Sequence, residues 1–261
     1  MEISKDIGLV ESNLRGVVNG GNYVLDELNS FLTSSSKLIR TKLALLYLKS
    51  NNINITENII KLLTAGELIH NASLLHDDII DSCDKRREKD TIGKLFSPKV
   101  SIICGDLLVT KGVKILQSIG NDVVLNIFAN CIDKMCNAEI KQYLMRGLVP
   151  SEAEYIDVCE GKTAELFKSI LKSVCILAKV DSNDAVELGI NFGIFFQLKN
   201  DINPVSAEND AKNGIKTLVD ICGIEKTMYL IDNYKKRIEY LIMAYPNKVY
   251  SRGISDLLEK I

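Results

Sequence analysis

The segment HDDIIDSCDKRR, residues 76–87, sets four carboxylates (Asp77, Asp78, Asp81 and Asp84) directly before Lys85, Arg86 and Arg87. On a helix, Asp77 and Asp81 stand one turn apart and share a face, and His70 falls on that face two turns earlier. Leu68, Leu74, Leu75, Ile79 and Ile80 surround them, so the face borders a core. Two carboxylates beside a core repel each other and are costly to desolvate. A hard divalent cation between them offsets that cost. Mg²⁺ suits the donors: it takes oxygen ligands, uses one or two carboxylates, keeps several waters and completes its shell with phosphate. Arg86 and Arg87 could then hold phosphate oxygens through charge-assisted, bidentate bonds. These residue types at these spacings can therefore bind a metal-chelated diphosphate. A solvated helix end with local acid–base pairing would have the same composition.

Three further polar clusters bear on that choice. SSKLIRT puts Lys37 and Arg40 three apart, on one helix face. GKTAELF sets Lys162 and Thr163 near the start of an apolar helix, where backbone N–H groups and a cation could meet an anion. FFQLKNDINP places Gln197, Asn200 and Asp201 at the end of a very apolar helix. Any one of these could be surface or cap. Four clusters, each at an end of a long apolar helix, imply a deep apolar pocket with a charged mouth.

The elements that must position these groups are helices. Apolar residues recur at i, i+3, i+4 and i+7 in ENIIKLLTAGELIHNASLLHDD, VVLNIFANCIDKMCNAEIKQYL, AELFKSILKSVCILAKV and IEKTMYLIDNYKKRIEYLIMAY. Helix starts are marked at Thr56, Ser151 and Asp181–Ser182. The helix from Thr56 should run to about Asp81. No convincing alternating strand occurs. The chain has 261 residues, 46% hydrophobic and 25% charged, with 4 prolines and no Gly/Ser linker. We therefore expect an all-α fold with residues 1–261 as one domain: a single bundle of about ten mostly antiparallel helices around a deep central cavity. The net charge of −2 argues against nucleic acid as a partner. Seven scattered cysteines without a CxxC pair, and no secretory signal, point to reduced thiols in a cytoplasmic protein. No apolar run reaches the length of a membrane span.

ELIHNASLLHDDIIDSCDKRR followed by CGDLL resembles the first aspartate-rich motif, DDxxD with a downstream Arg pair, of the trans-isoprenyl diphosphate synthases, the polyprenyl synthetase family. The likeness runs from about Lys37 to Thr217. It implies that Asp77 and Asp81 are Mg²⁺ ligands supported by Asp78, and that Arg86 holds an allylic diphosphate. By the same likeness Lys37, Arg40, His70 and Arg87 hold isopentenyl diphosphate. Lys162 and Thr163 match a Lys–Thr pair facing the allylic diphosphate, and Gln197 matches the glutamine of a Phe–Gln pair. Glu139 and Gln142, in NAEIKQ, match a family segment to which spacing assigns no role.

The departures lie at both ends of that stretch. Leu38 replaces a basic residue in the N-terminal motif. The second aspartate motif, DDxxD in the family, reads NDINP here, with Asn200 first, Asp201 second and Pro204 last. Ile215 stands where the family has lysine, with Lys216 one place on. NDINPVSAE also resembles the NSE metal motif of terpene cyclases, through Asn200 and Glu208, although Pro204 would disturb the helix joining them.

The resemblance implies head-to-tail condensation of isopentenyl diphosphate with an allylic diphosphate (dimethylallyl, geranyl or farnesyl). Two or three Mg²⁺ ions would be used, held by Asp77, Asp81, Asn200 and Asp201, in a homodimer. Asp77, Asp78, Asp81, Lys162 and Gln197 would serve the chemistry. Ser73 and Ala72, four and five places before Asp77, occupy positions that set pocket depth in the family. Both are small, which implies a linear trans product of C20 (geranylgeranyl) or longer; close helix packing is the other use of two small residues. The residues argue against a di-iron bundle, because Glu67–His70 is the only ExxH pair and one histidine, His76, remains besides. An HD-type phosphohydrolase built on His76–Asp77 needs more histidines than the chain has. A non-catalytic or regulatory subunit on the same fold, motivated by the altered second motif, and a terpene cyclase remain as alternatives.

Overall fold

The 3.6-residue apolar period folds as helix in every long segment that carries it. The computed structural model describes residues 3–18, 20–33, 37–86 and 89–261. Arg87, one of the expected phosphate-holding residues, lies outside them. The chain divides into two compact units, Met1–Leu45 with Ile55–Leu125, and Leu46–Asn54 with Asn126–Ile261.

The first unit holds α1 (Ser4–Val17), α2 (Tyr23–Thr33), the start of α3 (Ile39–Ser50), α4 (Glu57–Ile80), α5 (Ile92–Leu95) and α6 (Pro98–Ser118). The strands among the described residues are β1 (Lys85–Arg86) and β2 (Lys89–Asp90), an antiparallel pair of two residues each. Thr56 caps α4 by accepting from the Ile59 amide, and Asp81 closes its far end, so the helix has the expected limits. Its chief neighbour is α6. The two approach closely where α6 has glycine. A Cβ at Gly112 would stand 3.3 Å from the Ala65 carbonyl oxygen and from Ile69. One at Gly105 would overlap the His76 ring, 2.2 Å from Nε2. One turn before Gly105 the Ser101 hydroxyl donates to the Leu75 carbonyl at 3.0 Å.

The second unit carries most of α7 (Asp122–Leu144), then α8 (Glu152–Cys159), a π-helical turn (Glu160–Ala164), α9 (Glu165–Ala178), α10 (Asn183–Asp201), α11 (Pro204–Lys212), α12 (Leu218–Cys222), α13 (Ile224–Met243) and α14 (Lys248–Glu259). Ser151 caps α8 in a reciprocal capping box with Glu154. The core of this unit is α10, which buries Leu188, Phe192, Phe195 and Leu198. Gly193 and Gly189 let it lie against the π turn and α9: added Cβ atoms would fall 2.3 Å from Ala164 Cα and 2.6 Å from Lys168 Cα. Phe167 and Phe192 pack across the same seam, with ring centres 5.2 Å apart. On α7, Val124, Phe128 and Cys131 are buried, so that stripe is core.

The fold is all-α, as the sequence implies. Short helices such as α5 and α12 account for the surplus over about ten. All seven cysteines are free thiols. No helix among the described residues is long and apolar enough to cross a membrane.

Candidate active site

In the first unit the site grows from the end of α4. His70, Ser73, Leu74, Asp77 and Asp81 form one stripe at helical spacing, and all five are half-buried. Asp78, one residue on, is turned inward and is 2% exposed. Its Oδ1 accepts from Arg86 Nε at 2.7 Å, which draws the β1–β2 hairpin against the helix end. The two acids of the pair thus have different tasks: Asp77 is on the half-open stripe, and Asp78 aims an arginine.

Asp77 and Asp81 are hard oxygen donors on one helix face, and they fit Mg²⁺. Among the described residues no three His, Cys, Asp or Glu side chains converge on a point. Mg²⁺ needs only one or two protein carboxylates and takes the rest of its shell from water and phosphate. His76 is no part of the face. It lies on the α6 side, with Nε2 3.4 Å from Asp106 Oδ1 and 3.4 Å from the Ile102 carbonyl oxygen. The CGDLL segment is thereby explained: Gly105 makes room for the ring and Asp106 faces it.

Lys37 is exposed and Arg40 buried at the start of α3. Leu38 opens that helix with φ of +45° and its side chain in the core, so it cannot cap. The cap comes from α4. Glu67 Oε1 accepts from the Thr41 amide at 3.1 Å and its hydroxyl at 2.8 Å. A carboxylate at a helix N-terminus also complements the helix dipole. Glu67, which in sequence reads as half of an ExxH pair, is the anchor of the helix that carries Arg40.

Ala72, expected to set pocket depth, is 0% exposed; at helical spacing it continues the line of Ala65, Ile69 and His76, three residues that lie against α6 glycines. Ser73 is the one on the Asp77 stripe, its hydroxyl bonded to the His70 carbonyl at 2.8 Å.

In the second unit, Lys162 and Thr163 do not begin a helix. They lie within the π turn, and the Glu165 amide donates back to the Glu160 carbonyl, so the ladder runs on from α8 to α9. The expected cluster of free N–H groups is absent there. Gly161 permits this path, since a Cβ would sit 2.7 Å from Ala138 on α7. Lys162 Nζ is held by Glu139 Oε2 at 2.5 Å and Gln142 Oε1 at 2.8 Å, which gives those two residues the role spacing could not assign.

Thr163 Oγ1 donates to Gln197 Oε1 at 3.1 Å, and Gln197 Nε2 donates to Asp201 Oδ1 at 3.4 Å. Asp201 is 2% exposed. Its Oδ2 accepts from the Tyr155 hydroxyl and, at 2.9 Å, from the Leu218 amide. Burial pushes its carboxyl up from the ordinary range, against the pull of the Tyr155, Leu218 and Gln197 bonds. Asn200 is half-buried and neutral. Asp201, expected as a metal ligand, has both oxygens turned inward to Tyr155, Leu218 and Gln197. The NSE likeness fails, because α10 ends at Asp201 and Glu208 lies on the separate α11, paired with Lys212 at 2.8 Å.

The family's model, polyprenyl synthetase, matches residues 22–246. The chain belongs to the polyprenyl synthetase family. A prenyl transferase of Porphyra purpurea is 32% identical over 208 residues, 77% of this chain and 64% of that protein. A prenyl transferase of Cyanophora paradoxa is 29% identical over 245 residues, 88% of this chain and 76% of that one. Among solved structures, a geranyltranstransferase of Thermotoga maritima superposes with a TM-score of 0.88 at 23% identity, covering the whole of both chains. A decaprenyl diphosphate synthase of Rhodobacter capsulatus gives 0.86 at 20% identity, over 99% of this chain and 96% of that one. These place the fold among the isoprenoid synthases.

Within this family member, the residues that sequence reading missed are the ones that aim others: Glu67 for α3, and Tyr155 for Asp201. Neither belongs to a charged run, and only the pairing distance reveals them. Of the two cysteines near the site, Cys83 has its thiol pushed up by burial and then by Asp81 and Asp78, and Cys104 by burial. Both therefore carry less thiolate than an open cysteine, which lowers their reactivity.

Proposed function

We propose that the chain is a Mg²⁺-dependent head-to-tail prenyltransferase, acting as one catalytic domain over residues 1–261. It joins isopentenyl diphosphate to an allylic diphosphate and releases a linear trans-polyprenyl diphosphate of C20 or longer. The observation that carries this reading is the α4 end, with Asp77 and Asp81 on one half-open stripe and Asp78 holding Arg86 beside them. Family membership supports it, as do the relatives named prenyl transferase.

Asp77 and Asp81 would hold Mg²⁺, which when bound supplies positive charge to the departing diphosphate. In the reaction the allylic C–O bond breaks and its electron pair leaves with diphosphate. The double bond of isopentenyl diphosphate attacks the allylic carbon, and a proton is lost, with the released diphosphate as its acceptor. Arg86, aimed by Asp78, stabilises the negative charge that develops on the leaving group; Lys162, which the family likeness assigns to the allylic diphosphate, is held within the second unit by Glu139 and Gln142. Lys37 and Arg40, at the helix start that Glu67 fixes, hold the second diphosphate with His70 and Arg87. Apolar surroundings keep water from the allylic cation. In the reading we propose, the active form is a homodimer.

A second reading is a non-catalytic or regulatory subunit of a heteromeric synthase. The sealed Asp201 beside Asn200 favours it. One assay separates the two: purified protein, Mg²⁺, labelled isopentenyl diphosphate and dimethylallyl, geranyl or farnesyl diphosphate in turn, with products sized by chromatography. Elongation by the chain alone supports the transferase. Turnover only after a second chain is added overturns it in favour of the subunit.

A further inference from the structure

The end of α10 is built around an acid that is used inward. Asp201 receives three donors from three places: Tyr155 on α8, the Leu218 amide at the first turn of α12, and Gln197 one turn back on α10. Thr217 and Asp220 complete the α12 cap, with the Thr217 hydroxyl and amide both donating to Asp220 Oδ2. Tyr155 is itself buried, and its hydroxyl donates to this carboxylate. A buried carboxylate that lost these donors would leave a tyrosine hydroxyl and a backbone amide unsatisfied.

We propose that Asp201 is an internal latch and not a metal ligand, and that Tyr155 and Asp201 together pin the end of α10 to α8 and to the start of α12. The α10 end therefore provides no Mg²⁺ centre. Through Gln197, the latch also sets the Thr163 hydroxyl, which makes Tyr155 and Asp201 positioning residues. The Mg²⁺ part of this inference rests on the prenyltransferase reading; the latch does not.

The latch and the ligand roles respond differently to one conservative change. In Asp201→Asn the amide oxygen can take the place of Oδ2 and accept from Tyr155 and Leu218. A flip of the Gln197 amide then lets Gln197 accept from the new NH₂ and donate to Thr163, so every bond is restored. A metal ligand would lose its charge.

The experiment measures two things on Asp201→Asn, Asp201→Ala, Tyr155→Phe and, for comparison, Asp77→Asn. The first is thermal unfolding in EDTA, without substrate. The latch requires Asp201→Ala and Tyr155→Phe to lower Tm by about 4–10 °C, with Asp201→Asn within about 2 °C of the parent. If Asp201→Ala and Tyr155→Phe melt with the parent, the latch is overturned. Should Asp201→Ala fail to fold, Tyr155→Phe and Asp201→Asn still decide. The second is Mn²⁺ binding with inorganic diphosphate present, followed by electron paramagnetic resonance. Asp201→Asn should leave the number of bound ions and their Kd unchanged within about twofold, while Asp77→Asn weakens binding about tenfold or more. Loss of one Mn²⁺ per chain in Asp201→Asn would make Asp201 a ligand after all. If the parent binds no Mn²⁺, the transferase reading falls, and the melting result still judges the latch.

Discussion

The ends of α4 and α10 each carry two adjacent polar residues, Asp–Asp on one and Asn–Asp on the other, and use them differently. On α4 the outward position is Asp77 and the inward one Asp78; on α10 they are Asn200 and Asp201. In each pair the first residue is half-buried and the second is buried. Helical geometry explains the split, since neighbours point about 100° apart and only one of them can lie on the open stripe. Asp78 spends its charge on Arg86, and Asp201 spends its acceptors on Tyr155 and Leu218. The inward acid is a structural partner at both ends. The outward position is the half-buried one, and there α4 has an acid and α10 an asparagine. An acidic motif thus holds two kinds of acid, and losing one kind leaves the other in place.

The most severe way to break this comparison is to substitute both outward positions in turn. On the proposed reading Asp77→Asn should reduce turnover by about 10³-fold or more, by removing a ligand of the cation that stabilises the leaving group. Asn200→Ala should change it by less than about threefold. Steady-state rates at saturating Mg²⁺ check both. Equal losses would mean that the two helix ends serve the cation alike.

The inward acids should fail through structure. Asp78→Ala leaves Arg86 without its partner, and Arg86 is 28% exposed, so solvent recovers part of the loss. The expected cost is about 1–3 kcal/mol in denaturant unfolding, with KM for the allylic diphosphate raised more than kcat is lowered. A variant as stable as the parent would show that Asp78 is not structural.

The sequence carries the helices well and the aiming residues poorly. Thr56, Ser151 and the period of ENIIKLLTAGELIHNASLLHDD locate α4 and α8 because caps and apolar spacing are local signals. The stripe of His70, Asp77 and Asp81 follows from the same spacing. What is not local is hidden. Glu67 reaches a helix that begins 28 residues earlier, and Asp201 meets Tyr155 46 residues away. The π turn at Lys162 also escapes, since one extra residue in a helical ladder changes neither composition nor period enough to read.

Alternation by one residue makes a further distinction within α4, between Ala72 and Ser73. Ala72→Phe puts a ring into the α4–α6 seam, which glycine already brings close at Gly105 and Gly112. Overpacking should cost about 1–3 kcal/mol, read as a Tm lower by about 4–10 °C. Ser73→Phe adds the same ring on the Asp77 stripe. It should leave Tm within about 2 °C and shorten the product by at least one five-carbon unit, read by chromatography. If Ala72→Phe shortens the product with Tm unchanged, the assignment of the two faces is reversed.

The smallest expected effect gives the sharpest comparison. Asn200→Asp restores a carboxylate to the outward position of α10 and leaves the inward acid alone. Asn200 is half-buried, so a new charge there is partly screened, and its attraction for a nearby cation is about 1 kcal/mol. That corresponds to a Mg²⁺ concentration for half-maximal turnover about fivefold lower, measured by titration in metal-stripped buffer. The same change made at the inward acid, Asp201→Asn, should move the titration by less than twofold. If both leave the Mg²⁺ requirement where it was, the α10 end has no part in metal binding at either position. If Asn200→Asp confers turnover on a parent that has none alone, the asparagine is what distinguishes a partner subunit from an active synthase.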